Sequence, residues 1–207
     1  MLILILYVDD LLITGEEHLI NQCKKDLASE FEMKDLGILH YFLGLEVRQK
    51  SGNIFLHQKK YTVDILKRFG MWNCRPMSTP METNLHKLKE ASVESRLVDP
   101  TLYRQIIGSL MYLVNTGLDI CYVVNALGQF MCESRDIHLV ALKHILRYLQ
   151  GTIGYELKYE NTSLELHGYT DSDWARSVKD QKSTSGFCFS LGSSMISWIC
   201  RKQALVA

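Results

Sequence analysis

Met1-Leu-Ile-Leu-Ile-Leu-Tyr7-Val8-Asp9-Asp10-Leu-Leu-Ile-Thr-Gly15 opens the chain. Two apolar runs flank a pair of acids, the composition of two buried strands joined by a tight turn. Asp9 and Asp10 carry the only charged side chains of the hairpin. Side by side, their carboxylates repel each other unless a cation neutralises them. A hard ion that prefers carboxylate oxygens and keeps room for phosphate ligands suits the pair, which points to magnesium. Asp is also a common turn residue, so the hairpin taken alone fits a solvated turn equally well.

Outward from the hairpin, Glu16 to Phe31 has acids in its first turn and apolar residues at Leu19, Ile20, Cys23, Leu27 and Phe31. That period predicts an amphipathic helix covering a sheet face. Tyr41-Phe42-Leu43-Gly44-Leu45-Glu46-Val47 alternates as a strand, Ser51-Gly52-Asn53 turns, and Ile54 to His57 returns as its partner. Lys59 to Phe69 reads as a short helix stopped by Gly70. Asn73 to Pro100 is polar and holds all three prolines, the character of a surface linker. Asp99-Pro100 then starts a helix, with an acid as cap and Pro at the first position. Helices are expected at Thr101 to Asn115, Ile120 to Cys132 and Ile137 to Gln150, with Asp119 and Asp136 as caps. On the last of these, Lys143, Arg147 and Tyr148 combine cations with an aromatic ring, which suits a phosphate backbone, although a solvated helix face has the same composition. Beyond it the pattern turns to β, at Tyr155 to Tyr159, Leu164 to Thr170, Gly186 to Leu191 and Met195 to Cys200.

With 207 residues and 47% hydrophobic content, the chain has room for a sizeable core and one or two domains. Its six cysteines show neither Cys-x-x-Cys pairs nor zinc-type spacing, so reduced thiols in an intracellular, cytoplasmic or nuclear, setting are expected. Leu2 to Val8 is too short to span a bilayer and lacks the flanks of a signal peptide. Net charge is zero, but 1–58 carries 5 basic and 9 acidic residues while 59–150 carries 12 and 8. An acidic front beside a basic middle suits a phosphodiester partner.

Tyr7-Val8-Asp9-Asp10 between apolar strands resembles the active-site hairpin of reverse transcriptases. The Tyr41-Phe42-Leu43-Gly44 step, one helix later, resembles their primer grip. Together with Lys34-Asp35-Leu36-Gly37, Ser78-Thr79-Pro80-Met81, Tyr103 to Leu113, Gln129-Phe130-Met131 and Ile145 to Thr152, the order resembles the copia-type retrotransposon Pol polyprotein. The resemblance implies that Asp9 and Asp10 bind magnesium for nucleotide addition to a primer 3′ end, with RNA or DNA template-primer as partner. One departure stands out. Where the family usually has Thr-Arg-Pro-Asp, this chain has Thr116-Gly117-Leu118-Asp119, without the cation and the rigid Pro.

Gly168-Tyr-Thr-Asp171-Ser-Asp173-Trp174-Ala175, followed by Asp180 to Gly186 and Ile196-Ser197-Trp198, resembles the start of the family's RNase H, in which Asp171 is the first metal ligand. Asp173 is expected to point away from it. A haloacid-dehalogenase phosphatase using Asp171 as nucleophile is the competing reading. The resemblance implies an α+β chain with four parts: the C-terminal half of a palm at 1–72, a linker at 73–98, a helical thumb or connection at 99–152, and a truncated RNase H-like segment at 153–207. It further implies that a palm Asp precedes Met1 and that the next RNase H ligand follows Ala207. The chain is therefore expected to be inactive alone, as a fragment needing the missing N-terminal polymerase part or as a nucleic-acid-binding relic.

Overall fold

The computed structural model describes residues 1–82, 88, 95–173 and 181–204. These form five helices and nine strands in three antiparallel sheets, and the chain divides into two units, Met1–Leu39 and His40–Ala207. Trp174, Ala175, Asp180 and part of the expected linker lie outside the described residues.

In the first unit, β1 (Leu2–Tyr7) and β2 (Asp10–Gly15) pair in register from Leu2 opposite Gly15 to Tyr7 opposite Asp10. This leaves Val8 and Asp9 as a two-residue turn. Helix α1 (Glu17–Glu30) follows, and its Leu19, Cys23 and Leu27 border an apolar groove shared with Leu2 and Phe31. The strands were expected to be buried; instead Ile3 is 44% and Leu6 73% exposed. The reason is architectural. A two-stranded sheet followed by one helix has too few layers to cover both of its faces.

In the second unit, β3 (Tyr41–Phe42), β4 (Leu45–Lys50), β5 (Asn53–His57) and β6 (Leu157–Tyr159) form one sheet in that order. The β5–β6 pairing joins Leu56 to Leu157 and so links the second hairpin to the chain beyond the helices. The Arg48 guanidinium, 2.8 Å from Glu156 and stacked over Phe55, supports the same junction. A third sheet holds β7 (Leu166–Ser172), β8 (Thr184–Leu191) and β9 (Ser194–Lys202).

The core is helical. Helices α2 (Lys59–Arg68), α3 (Pro100–Leu113), α4 (Leu118–Gly128) and α5 (Asp136–Gly151) bury Ile65, Leu66, Ile107, Leu110, Val124, Leu127, Leu142 and Leu146 completely. Burying one such side chain contributes roughly 1.5–3 kcal/mol, so this cluster outweighs any surface contact. Tyr103 is buried among them and its hydroxyl donates to the Leu127 carbonyl at 2.8 Å, which satisfies the one polar atom the ring brings inside.

Asp99 caps α3 as read, accepting from the Thr101 amide at 2.8 Å ahead of Pro100. Asp119 and Asp136 are not caps; the N-cap residues are Gly117 and Arg135. Both acids lie in the first turn, where they still face the positive end of the helix. The described part of the linker is pinned to α5. The Arg147 Nε donates to the Arg75 carbonyl at 2.8 Å, the Met77 amide donates to the Arg147 carbonyl, and the His144 ring donates to the Thr79 carbonyl.

His138, fully buried on α5, stacks on Phe130 with ring centroids 3.9 Å apart. Its Nδ1 accepts from the Arg135 amide at 3.2 Å, so Nε2 carries the proton donated to the Leu88 carbonyl. Both nitrogens are satisfied only in the neutral ring. Burial first, and then the Arg135 charge, hold its pKa below the usual histidine value. The unfolded chain therefore takes up a proton that the folded chain refuses. Stability is complete above the unfolded value near pH 6.5 and falls as the pH drops from there toward the lowered folded value, by at most about 1.4 kcal/mol per pH unit from this residue. Urea unfolding at pH 7.5 and 5.5 is expected to show that loss, and His138→Gln to reduce its slope.

Candidate functional site

The Asp hairpin presents its acids at a strained corner. Val8 has φ 50, the left-handed region that a β-branched residue rarely occupies and that costs on the order of 1–3 kcal/mol. Asp9 completes the turn and Asp10 begins β2. Both are exposed, and neither carboxylate has a hydrogen-bond or ion-pair partner among the described residues. Two unpartnered carboxylates are the hard oxygen donors that magnesium uses, since it takes one or two carboxylates and fills its remaining positions with water and substrate phosphates. Among the described residues no group of three His, Cys, Asp or Glu is placed to hold a metal ion. By donor chemistry, Asp9 and Asp10 are the residues that would hold such an ion, with water and phosphate completing its shell.

The Tyr41 to Gly44 segment is not one strand running on to Val47. Leu43 at φ 49 and Gly44 at φ 79 form a two-residue turn between Phe42 and its partner Leu45. Two successive left-handed residues match the right-handed twist of the strands they join. The turn is clamped from α3, where the Tyr112 hydroxyl donates to the Leu43 carbonyl at 2.5 Å and the Tyr112 ring meets Tyr61 edge-on at 4.8 Å. Behind it, the buried Gln58 donates to the Tyr112 carbonyl and accepts from Thr116 at 2.7 Å. Sequence reading missed Tyr112 and Gln58. Their partners lie 54 to 69 residues away, so no local pattern reveals them.

On α5, Lys143 is exposed, Arg147 is half-buried against the Arg75 carbonyl, and Tyr148 is packed inside at 6% exposure. The Tyr148 hydroxyl donates to the Asp119 carboxylate at 2.5 Å. Its ring fixes the start of α4 and presents no open face between the two cations. Burial and Asp119 both push the phenol pKa up. The departure at Thr116-Gly117-Leu118-Asp119 thus sits in a well-bonded turn, held through Thr116 and Asp119.

Asp171 lies exposed on β7, an edge strand, opposite Gly186 of β8. Asp173, two residues on, falls on the same face, because side chains alternate along a strand. This corrects the expectation that it points away. Its carboxylate accepts from the Thr184 amide at 2.8 Å and its own amide donates to the Thr184 carbonyl, so Asp173 fastens the end of the strand. Both acids border a cleft of about 890 Å³ between this sheet and α4, with Cys121, Tyr122, Trp198 and Cys200. Burial pushes the Cys200 thiol up to about 11, with Cys121, Asp173 and Asp171 adding to the effect.

A Cβ on Gly44 would collide with the Tyr112 hydroxyl, and the position also has φ 79. Gly44→Ala is expected to destabilise the second unit by about 1–3 kcal/mol in urea unfolding. Adding Tyr112→Phe should recover part of that loss by removing the colliding oxygen, a coupling that a double-mutant cycle reads directly.

A family model described as reverse transcriptase (RNA-dependent DNA polymerase) matches residues 1–83, which include both hairpins. The chain is 42% identical over 206 residues to an uncharacterized mitochondrial protein of Arabidopsis thaliana, covering 99% of this chain and 85% of that one. It is 45% identical to the retrovirus-related Pol polyprotein from transposon RE1 of Arabidopsis thaliana, over 97% of this chain and 14% of the polyprotein. It is 38% identical to the corresponding polyprotein from transposon TNT 1-94 of Nicotiana tabacum, over its whole length and 16% of that chain. The chain thus spans a small part of the Pol polyproteins it matches. No solved structure matches it. With the Asp-Asp hairpin inside the matched region and the similarity running through the helices and the last sheet, the chain belongs to the reverse transcriptase family of retrovirus-related transposon Pol polyproteins.

Proposed function

We propose that this chain is a section of a copia-type Pol polyprotein: the rear of a polymerase palm, a helical thumb or connection, and the opening of an RNase H. The observation that carries this reading is the exposed, unpartnered Asp9 and Asp10 at a strained two-residue turn, within the region matched by the reverse transcriptase model. Backbone strain of this kind persists where the surroundings enforce it, and it clusters at functional sites. The similarity to Pol polyproteins supports the nucleic-acid partner. It gives no support to the phosphatase reading of Asp171.

In this mechanism Asp9 and Asp10 would hold magnesium at the hairpin tip, where it would supply charge stabilisation for the transferring phosphoryl group and for the primer 3′ oxygen. The paired strands keep the two carboxylates at a fixed spacing. The turn of the second hairpin, clamped by Tyr112, steadies the primer end through Tyr41, Phe42, Leu43 and Gly44. Holding a reacting group in place in this way removes the entropy of finding it. Lys143 offers a phosphate contact on α5, and Arg147 stands beside it. Asp171, exposed at the edge of its sheet, serves hydrolysis of the RNA strand of a hybrid. Two carboxylates alone do not clamp both the attacking and the leaving oxygen, so activity requires further ligands from the rest of the polymerase. Such a polyprotein works inside the cell; among the described residues no helix is long and apolar enough to cross a membrane.

Primer extension by the full Pol polyprotein carrying this section tests the assignment. Asp9→Asn and Asp10→Asn should each lower the rate by at least about a hundredfold, since metal-borne charge stabilisation supplies several kcal/mol. Extension unchanged in both variants would remove the hairpin from the active site.

A further inference from the structure

Gln58 stands at the start of α2 and is 3% exposed, yet it takes no part in the chemistry proposed above. Its carboxamide is bonded at both ends. Nε2 donates to the Tyr112 carbonyl at 3.3 Å, and Oε1 accepts from the Thr116 hydroxyl at 2.7 Å. A carbonyl only accepts, so the amide nitrogen faces Tyr112 and the Thr116 hydroxyl is the donor. The Gln58 backbone is held as well, since its carbonyl accepts the amide and the hydroxyl of Thr62, each at 2.9 Å. The start of α2 is in turn tied to the second hairpin, where Glu46 Oε1 on β4 accepts from the Lys60 amide at 2.7 Å. These bonds close a ring: hairpin to α2 through Glu46, α2 to the end of α3 through Gln58, and α3 back to the hairpin turn through the Tyr112 hydroxyl and the Leu43 carbonyl.

We propose that Gln58 is a positioning residue for the primer 3′ end, acting through Tyr112 on the Leu43-Gly44 turn, a role that rests on the reading of Tyr41 to Gly44 as the segment that steadies the primer. Gln58 touches no reacting atom. It fixes where the end of α3 stands, and so where the Tyr112 hydroxyl meets the turn. With the ring closed, two successive left-handed residues are held in one position. With the Gln58 link cut, the end of α3 is free to shift, Tyr112 shifts with it, and the turn samples other positions. A bound primer then spends less time aligned for attack, which lowers the rate of nucleotide addition and leaves the binding of template-primer nearly unchanged. Only a carboxamide meets both demands at this position, because it offers a donor to the Tyr112 carbonyl and an acceptor to the Thr116 hydroxyl from one uncharged, buried group.

The test uses the full Pol polyprotein carrying this section and reads two quantities. Single-turnover addition of one nucleotide gives the rate constant and the affinity for template-primer, and hydrogen exchange followed by mass spectrometry gives the opening of the peptide spanning 41–47. Thr116→Val removes the hydroxyl and keeps the shape. It should lower the rate constant about two- to tenfold, the kinetic equivalent of one neutral hydrogen bond, with the affinity held within about twofold and exchange in 41–47 accelerated. Gln58→Met, of similar length and volume, should do the same, and Thr116→Ser, which keeps the hydroxyl, should match the unaltered protein. Where Tyr112→Phe has already cut the link to Leu43, adding Thr116→Val should change neither quantity further. Unchanged exchange in 41–47 in either Thr116→Val or Gln58→Met would overturn the positioning role and leave the primer reading standing. So would a fully additive effect in the Tyr112→Phe background, or equal acceleration throughout α3 and α4. Faster exchange in 41–47 with an unchanged rate constant would overturn the primer reading itself, and the role of Gln58 with it.

Discussion

The second unit depends on the burial of one apolar cluster shared by four helices. Tyr103, Ile107, Leu110, Val124, Leu127, Leu142, Ile145 and Leu146 are sealed from water, and the area they remove from it is the dominant favourable term. Everything around them is attached to that block by a few specific bonds. Tyr112 reaches from it to the Leu43 carbonyl, Trp198 attaches the last sheet through the Val114 carbonyl, and Tyr148 ties α5 to the start of α4. Each bond joins an aromatic side chain, anchored by its apolar body, to a polar atom of another element. The helical block therefore acts as a scaffold, and the candidate chemistry sits on hairpins and edges.

The hairpins use one local device at different strain. Val8 at φ 50, Leu43 and Gly44 at φ 49 and 79, and Ser51 and Gly52 at φ 51 and 77 all place left-handed residues in two-residue turns. At Ser51-Gly52 the geometry does no more than reverse the chain. At Leu43-Gly44 it brings a carbonyl under the Tyr112 hydroxyl and leaves no room for a side chain at Gly44. At Val8 it forces a β-branched residue into a conformation it resists, with two unpartnered acids beside it. Strain accompanied by bare charge, in a stretch where Gly or Asn would fold more readily, is the observation from which ligand binding at this turn is proposed.

Much of this was legible from residue patterns, because helices and hairpins are local. The apolar period at Leu19, Ile20, Cys23 and Leu27 gave α1, Asp99-Pro100 gave the start of α3, and Asp9-Asp10 between two apolar runs gave the first hairpin. The failures have physical causes. Tyr41 to Val47 alternates well enough to pass for one strand, since Leu-Gly lacks the Asn or Asp that marks this turn type. Asp119 and Asp136 sit two residues and one residue past the N-cap positions, inside the first turn, although both are the residue type that caps. Tyr148 has the composition of a base-stacking aromatic, but burial is decided by the partner helix, which a sequence window does not contain. The β5–β6 pairing spans roughly a hundred residues of chain and follows from no local signal.

The central claim is that the Asp9-Asp10 turn is a divalent-metal site, and manganese titration of this chain followed by NMR tests it most directly. Paramagnetic broadening reports metal proximity whether or not the chain catalyses anything. The account predicts broadening that begins at Val8 to Leu11, spreads to neighbours on β1 and β2, and disappears in Asp9→Asn with Asp10→Asn. Broadening that spares the hairpin and centres elsewhere, or that survives the double substitution, would contradict it.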